Sequence, residues 1–153
     1  MIAVGDVPAE FTLDDQDGRP VAWSSLRGRP VVVFAYPKAD TPGCTREACA
    51  FRDLRAEFEA AGVAVYGLSA DPVKRQAAFR AKYELPYPLL ADPEKRVLTA
   101  WGIWGEKKMY GKTVHGIVRT TVWFDGEGRV RHVWSPVKVD GHVDAVLAKV
   151  RAG

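Results

Sequence analysis

The run Val31-Val32-Val33-Phe34-Ala35-Tyr36 constrains this chain more than any other segment. It is apolar throughout and β-branched at its start. A strand with one wet face alternates apolar and polar residues. A run without alternation needs cover on both faces, as in a parallel sheet. Val63-Ala64-Val65-Tyr66-Gly67-Leu68 repeats the pattern, and residues 42–60 between the two runs read as one helix. Strand, helix and strand form a βαβ unit, whose crossover is right-handed in nearly all folds.

The flanking segments extend that unit. Phe11-Thr12-Leu13 and Val21-Ala22-Trp23 are short strand candidates on either side of the turn formers Asp17-Gly18. Ser24-Ser25-Leu26 resembles a helical turn leading to Gly28. Asp71 and Pro72 read as the cap and first residue of a helix ending near Tyr83. Leu89-Leu90-Ala91 is a short strand, and Asp92-Pro93 repeats the cap signal for a helix ending near Trp101. Residues 102–116, containing Gly and Lys, read as loop. Residues 120–124 and 130–134 make an antiparallel hairpin around Asp125-Gly126-Glu127-Gly128. Val143, Val146, Leu147 and Val150 have helical spacing and predict a last helix over about 140–151. The order predicts an α/β chain of thioredoxin type. It has a mixed central sheet flanked by helices, with an N-terminal β-hairpin.

With 153 residues and no repeat or linker-like stretch, the chain is expected to be one domain spanning 1–153. The net charge is +3, with Lys and Arg scattered among Asp and Glu. No basic run points to nucleic acid or an anionic membrane surface. The opening residues MIAVGDVPAEF lack a basic region ahead of a long apolar stretch, so no signal peptide is expected there. No apolar run approaches the roughly 20 residues that span a bilayer. The two cysteines are too few for a disulfide scaffold. They suit redox-active or buried thiols and a cytoplasmic setting.

Those cysteines, Cys44 and Cys49, fall in the helix over 42–60. Pro42 fits its first position, which makes Thr41 the N-cap and Cys44 the third helical residue. A thiol in the first helical turn lies where free amides and the helix dipole favour an anion. Residues of an α-helix turn by about 100° each. Cys44, Glu47, Ala48, Phe51, Leu54 and Phe58 therefore share a stripe that should face the sheet. Glu47 is the polar member of that stripe and needs an inward cation or donor, for which an Arg is the natural candidate. Cys49 lies about 140° around from Cys44 and about 7.5 Å along the axis. The Cα separation is then roughly 8–9 Å, beyond the limit of about 7 Å for a disulfide. Pairing would require the first turns to unwind. An inert buried cysteine remains an alternative, stronger for Cys49 than for Cys44. A metal site is disfavoured because His115, His132 and His142 lack ligand spacing.

The run YPKADTPGCTREACAFRD at 36–53 resembles the peroxiredoxins, specifically their bacterioferritin-comigratory-protein or Q-type subfamily. Pro37, Thr41 and Cys44 match the family pattern Pro-x-x-x-Thr-x-x-Cys. Cys49 matches the subfamily's resolving cysteine in the same helix. Gly116-Ile117-Val118-Arg119, leading into a strand, resembles the segment that supplies the active-site Arg.

The resemblance implies a thiol peroxidase acting on hydrogen peroxide and organic hydroperoxides. Cys44 would be the peroxidatic thiolate, with Arg119 stabilising its charge. Thr41 would position the peroxide and Pro37 would shield the thiolate. Glu47 would hold Arg119 in place, and Cys49 would resolve the sulfenic acid as a disulfide. A thioredoxin-like dithiol would be the reductant, no cofactor or metal is implied, and a monomer is favoured over a dimer. A one-cysteine peroxidase is the near alternative. A disulfide oxidoreductase, disfavoured without a C-x-x-C pair, and a redox-regulated binding domain are the more distant ones.

Overall fold

A computed structural model describes the backbone of residues 1–153 and all side chains except those of 107–109. Two short strands, β1 (Thr12–Asp14) and β2 (Pro20–Ala22), precede a 3-10 turn over Trp23–Leu26. Strand β3 (Val31–Ala35), helices α1 (Pro42–Asp53) and α2 (Arg55–Ala60), and strand β4 (Ala64–Ser69) follow. Next come α3 (Val73–Lys82), β5 (Leu89–Ala91) and α4 (Arg96–Ala100). Strands β6 (Trp104–Met109), β7 (Lys112–Ile117), β8 (Thr120–Phe124) and β9 (Val130–Trp134) lead to α5 (His142–Ala152).

The central sheet has the order β2-β1-β5-β4-β3-β8-β9. Strands β3, β4 and β5 are parallel, and the flanking pairs are antiparallel. This is the mixed sheet expected from the two apolar runs. The reason is visible in β3. Val32 and Phe34 enter one core with Cys44, Phe51, Phe58, Phe79 and Val146. Val31, Val33 and Ala35 enter the other, with Trp23, Leu98, Trp101 and Phe124. Helices α1, α2, α3 and α5 contribute to the first core, whereas α4 and the 3-10 turn contribute to the second. A polar residue anywhere along β3 would have been buried without water.

Gly67 in β4 is required by close approach. A Cβ there would lie 2.6 Å from Leu89 Cδ2 and 3.2 Å from Tyr36 Cε1. The aromatic layer over the sheet, with the rings of Phe34 and Phe51 stacked at 4.6 Å, occupies that space.

Four expectations are corrected. The helix over 42–60 is two helices, broken at Leu54, where the backbone leaves helical values (φ −103°, ψ 8°). Phe51 and Phe58, on either side of the break, are both fully buried with rings 5.6 Å apart. Pro72 is the cap of α3 rather than its first residue. The Asp71 carboxylate accepts from Ala39 N–H and Ser69 O–H at 2.8 Å each, and from Arg75 Nε in the first turn of α3 at 3.2 Å. Residues 102–116 are not loop, because β6 and β7 form a separate two-stranded hairpin. Tyr110 and Gly111 both have positive φ (54° and 75°), as a two-residue primed turn requires. Tyr-Gly is a weak signal for such a turn, and the strands carry glycines and charges rather than an apolar face. The fourth correction concerns Thr41 and belongs to the site.

Candidate active site

The sheet register brings the site together. Strands β3 and β8 are antiparallel, with Ala35 opposite Thr120. The end of β3, where the chain leaves for the Cys44 loop, therefore lies beside the start of β8. Arg119 directly precedes that start. The Arg119 backbone is held in turn by Val137 N–H, which donates to its carbonyl at 2.9 Å.

The loop from Tyr36 to Thr41 is anchored to α3. Ala39 N–H donates to Asp71, and Asp40 accepts from Tyr83 O–H at 2.7 Å and Lys82 Nζ at 2.9 Å. Those two bonds, Tyr83's first, hold the Asp40 carboxyl below its ordinary range. Asp40 has φ 61°, a conformation unusual for a side-chain-bearing residue and tolerated best by Asn and Asp. Thr41 occupies the N-cap position in extended conformation, but its hydroxyl makes no cap bond to α1. It donates to Lys38 carbonyl at 2.8 Å instead. The reversal at Asp40 brings that carbonyl within reach. Pro37, half-buried, lies two residues beyond the end of β3.

Cys44 is the third residue of α1, as expected, and is 1% exposed. Its Sγ accepts from Arg119 Nη2 at 3.3 Å. Arg119 Nη1 donates to Glu47 Oε1 at 2.9 Å. One guanidinium thus spans a sulfur and a carboxylate placed three residues apart on one helix face, the separation that makes side chains neighbours. Glu47 is 0% exposed. Burial pushes its carboxyl up to about 7, against the opposing charge of Arg119. Partial burial works to lower Arg119, but the charges and hydrogen bonds of Cys44 and Glu47 outweigh it and raise the guanidinium above its ordinary range, so its positive charge is permanent. Gly43 gives Arg119 room, since a Cβ there would sit 3.1 Å from Nη2.

Cys49 lies elsewhere. It is half-buried on another side of α1, and both thiols are free. Burial raises its pKa. The intact helix through both residues preserves the separation of roughly 8–9 Å. The structure therefore unites Cys44, Glu47 and Arg119, places Thr41 and Pro37 in the loop that leads into α1, and leaves Cys49 apart.

Two neighbours were missed. His142, considered in the sequence only as a metal ligand, is buried at the start of α5. Its Nε2 is 2.8 Å from Thr121 Oγ1 and 3.9 Å from Glu47 Oε2. Tyr87 donates its hydroxyl to Ala48 carbonyl at 2.5 Å. A histidine opening an apolar helix was the one available signal for the first; nothing local marked the second.

A cavity of about 710 Å³ lies between the N-terminal residues and α4, lined by Val7, Phe11, Leu13, Val97 and Trp101 among others. It contains none of the residues around Cys44. Among the described residues no group of three or more His, Cys, Asp or Glu could hold a metal ion. Among them, too, no helix is long and apolar enough to cross a membrane.

Residues 4–133 match the model of the AhpC/TSA family. The chain belongs to that family. A putative peroxiredoxin of Mycobacterium tuberculosis is 49% identical over 139 residues, covering 91% of this chain and 88% of its own length. Peroxiredoxin Bcp of Escherichia coli K12 is 41% identical over 146 residues, covering 95% of this chain and 94% of its own. Among solved structures, peroxiredoxin Q of Xanthomonas campestris superposes with a TM-score of 0.92 at 40% identity, covering 98% of this chain and 97% of that one. The fold is thus the thioredoxin-type fold of these peroxiredoxins. By family this peroxiredoxin is a thiol-dependent peroxidase.

Proposed function

We propose that this peroxiredoxin reduces hydrogen peroxide and organic hydroperoxides through Cys44 and forms a Cys44–Cys49 disulfide in each cycle. The observation that carries the reading is the Arg119 fork, with one arm on Cys44 Sγ and the other on Glu47. The Cys44 thiolate attacks one peroxide oxygen. The O–O bond breaks, the sulfur becomes a sulfenic acid, and the departing alkoxide or hydroxide takes up a proton. Arg119 is the fixed cation beside this developing charge. In a site almost closed to water it is worth far more than it would be in solvent. Glu47 keeps the fork from turning away. Pro37 shields the sulfur, and Thr41, whose hydroxyl is already oriented by Lys38 carbonyl, positions the peroxide.

Cys49 thiol then attacks the sulfenic sulfur, releasing water and forming the disulfide. The helix must open first, because about 8–9 Å separates the two Cα atoms. An external dithiol of thioredoxin type returns both thiols. A cytoplasmic setting, where such dithiols are kept reduced, suits this cycle. A related protein supports the substrate class: the bacterioferritin comigratory protein of Xanthomonas campestris has alkyl peroxide reduction activity.

Stopped-flow consumption of hydrogen peroxide and an organic hydroperoxide tests the reading. Wild type should react rapidly and Cys44→Ser should not react. Cys49→Ser should consume one equivalent and stop at the sulfenic acid. If instead one equivalent of peroxide leaves no Cys44–Cys49 disulfide in wild type by non-reducing mass spectrometry, the two-cysteine cycle is wrong.

A further inference from the structure

The Arg119 fork is only as fixed as the carboxylate it grips. Glu47 spends one oxygen on Arg119. The other, Oε2, is buried and has no hydrogen-bond partner among the described residues. A buried carboxylate with one free oxygen can rotate unless something walls it in, and leaving that oxygen bare is costly. The polar atom facing it is His142 Nε2, at 3.9 Å.

His142 is itself tightly held. Its Nε2 pairs with Thr121 Oγ1 at 2.8 Å, and Thr121 is 0% exposed. Phe51 and Trp134 meet the ring edge-on at 6.5 and 6.0 Å between centroids. An Arg46–Asp140 ion pair at 2.5 Å ties α1 to the turn before α5. Three elements thus converge on the far side of Glu47: α1 with Phe51, β8 with Thr121, and α5 with His142.

Resting on the peroxidase reading above, we infer that His142, steered by Thr121, is a positioning residue that walls the Glu47 carboxylate and so fixes the Arg119 guanidinium against the Cys44 sulfur. It touches neither the sulfur nor the peroxide. Its ring is neutral at neutral pH, since burial and then the Arg119 charge depress it to about 4. A neutral ring supplies a dipole beside Oε2 without competing with Arg119 for the carboxylate. A cation in its place would pull Glu47 off the fork. An apolar ring in its place would leave Oε2 facing hydrocarbon and drive the carboxylate to turn.

The test compares two reactions of the same sulfur. His142→Phe keeps the ring packing and removes the nitrogen; His142→Gln restores a polar nitrogen at the Nε2 distance. All are made in Cys49→Ser, so a single thiol reports. Hydrogen peroxide oxidation depends on where Arg119 sits during O–O cleavage, whereas alkylation by iodoacetamide, measured at alkaline pH where Cys44 is thiolate in every variant, does not need that alignment. The expected result is a peroxide rate constant lowered about 10-fold or more in His142→Phe, the scale of a small misplacement. Alkylation should be unchanged, and His142→Gln should recover most of the loss.

A wild-type peroxide rate in His142→Phe overturns the inference. So does a His142→Gln as slow as His142→Phe, or a parallel fall in both reactions, either of which would mark mere packing. Should His142→Phe fail to fold, Thr121→Val removes the steering hydroxyl instead. Its peroxide rate should fall while alkylation holds, and an unchanged peroxide rate is again contrary. If the Cys49→Ser parent itself does not react with peroxide, the peroxidase reading has failed and not this inference.

Discussion

At the scale of single residues, the site turns on one forked cation. A Lys ammonium at position 119 is a point charge and could not serve sulfur and carboxylate together. The same geometry gives Gly43 a purpose that helix propensity opposes. Gly43→Ala should be favourable for α1 by up to about 1 kcal/mol, since alanine loses less backbone freedom. Its Cβ, however, would meet Arg119 Nη2 at 3.1 Å and push the guanidinium off by a few tenths of an ångström. The expected outcome is an unchanged or higher melting temperature with a peroxide rate about 10-fold lower. A stable variant with undiminished rate would show that Arg119 tolerates the shift. Cys44 and Glu47 were legible from helix spacing and motif, and the buried Glu47 called for an inward Arg, but Arg119 itself was named only through the resemblance of the 116–119 segment to the family's active-site Arg. The partner of the Thr41 hydroxyl was not legible. It depends on the left-handed turn at Asp40, which Tyr83 and Lys82, some forty residues on, hold in place.

At the scale of elements, α1 has to be firm enough to seat Cys44 and loose enough to release it. Besides the Arg119 fork, bonds from outside hold it through Tyr87 O–H on Ala48 carbonyl, Arg52 Nη1 on Tyr83 carbonyl at 2.8 Å, and the Arg46–Asp140 pair. The last is exposed and contributes little. The Tyr87 bond is buried, between the two cysteines, and is worth about 1 kcal/mol. Tyr87→Phe should therefore leave the first oxidation unchanged and speed Cys44–Cys49 disulfide formation about fivefold, the factor carried by such a bond. Quenched-flow samples resolved by non-reducing mass spectrometry would show it; an unchanged or slower second step would mean that opening does not run through Ala48. The bend at Leu54 and the β6–β7 hairpin escaped sequence reading for a shared reason. Neither leaves an apolar trace that a sequence pattern could mark, since Leu54 continues the helix stripe and the hairpin sequence carries glycines and charges without an apolar alternation.

At the scale of the molecule, two buried titrating groups set opposite pH limits. Glu47 moves from an ordinary 4.5 up to about 7 on folding. The folded state then keeps a proton that the unfolded chain has lost, so stability falls as pH rises through that window. His142 moves from 6.5 down to about 4, so its contribution is present above 6.5 and is lost as pH falls towards 4. Between pH 6.5 and 8 only the first effect remains. The melting temperature of the reduced protein should therefore decline across that range, and Glu47→Gln, which can still accept from Arg119, should decline less. Parallel curves would mean that Glu47 is ionised throughout.

The sequence by itself determined the sheet, the reactive helix and the separation of its two thiols. Those follow from local rules: an unbroken apolar run needs two covered faces, and helix geometry sets the distance between residues five apart. Only the tertiary structure decided that β8 lies beside β3 and so delivers Arg119 to Cys44 across 75 positions. It alone brought His142 and Tyr87 to bear on α1, because contacts between distant segments depend on how whole elements pack, and no local pattern of residues encodes that.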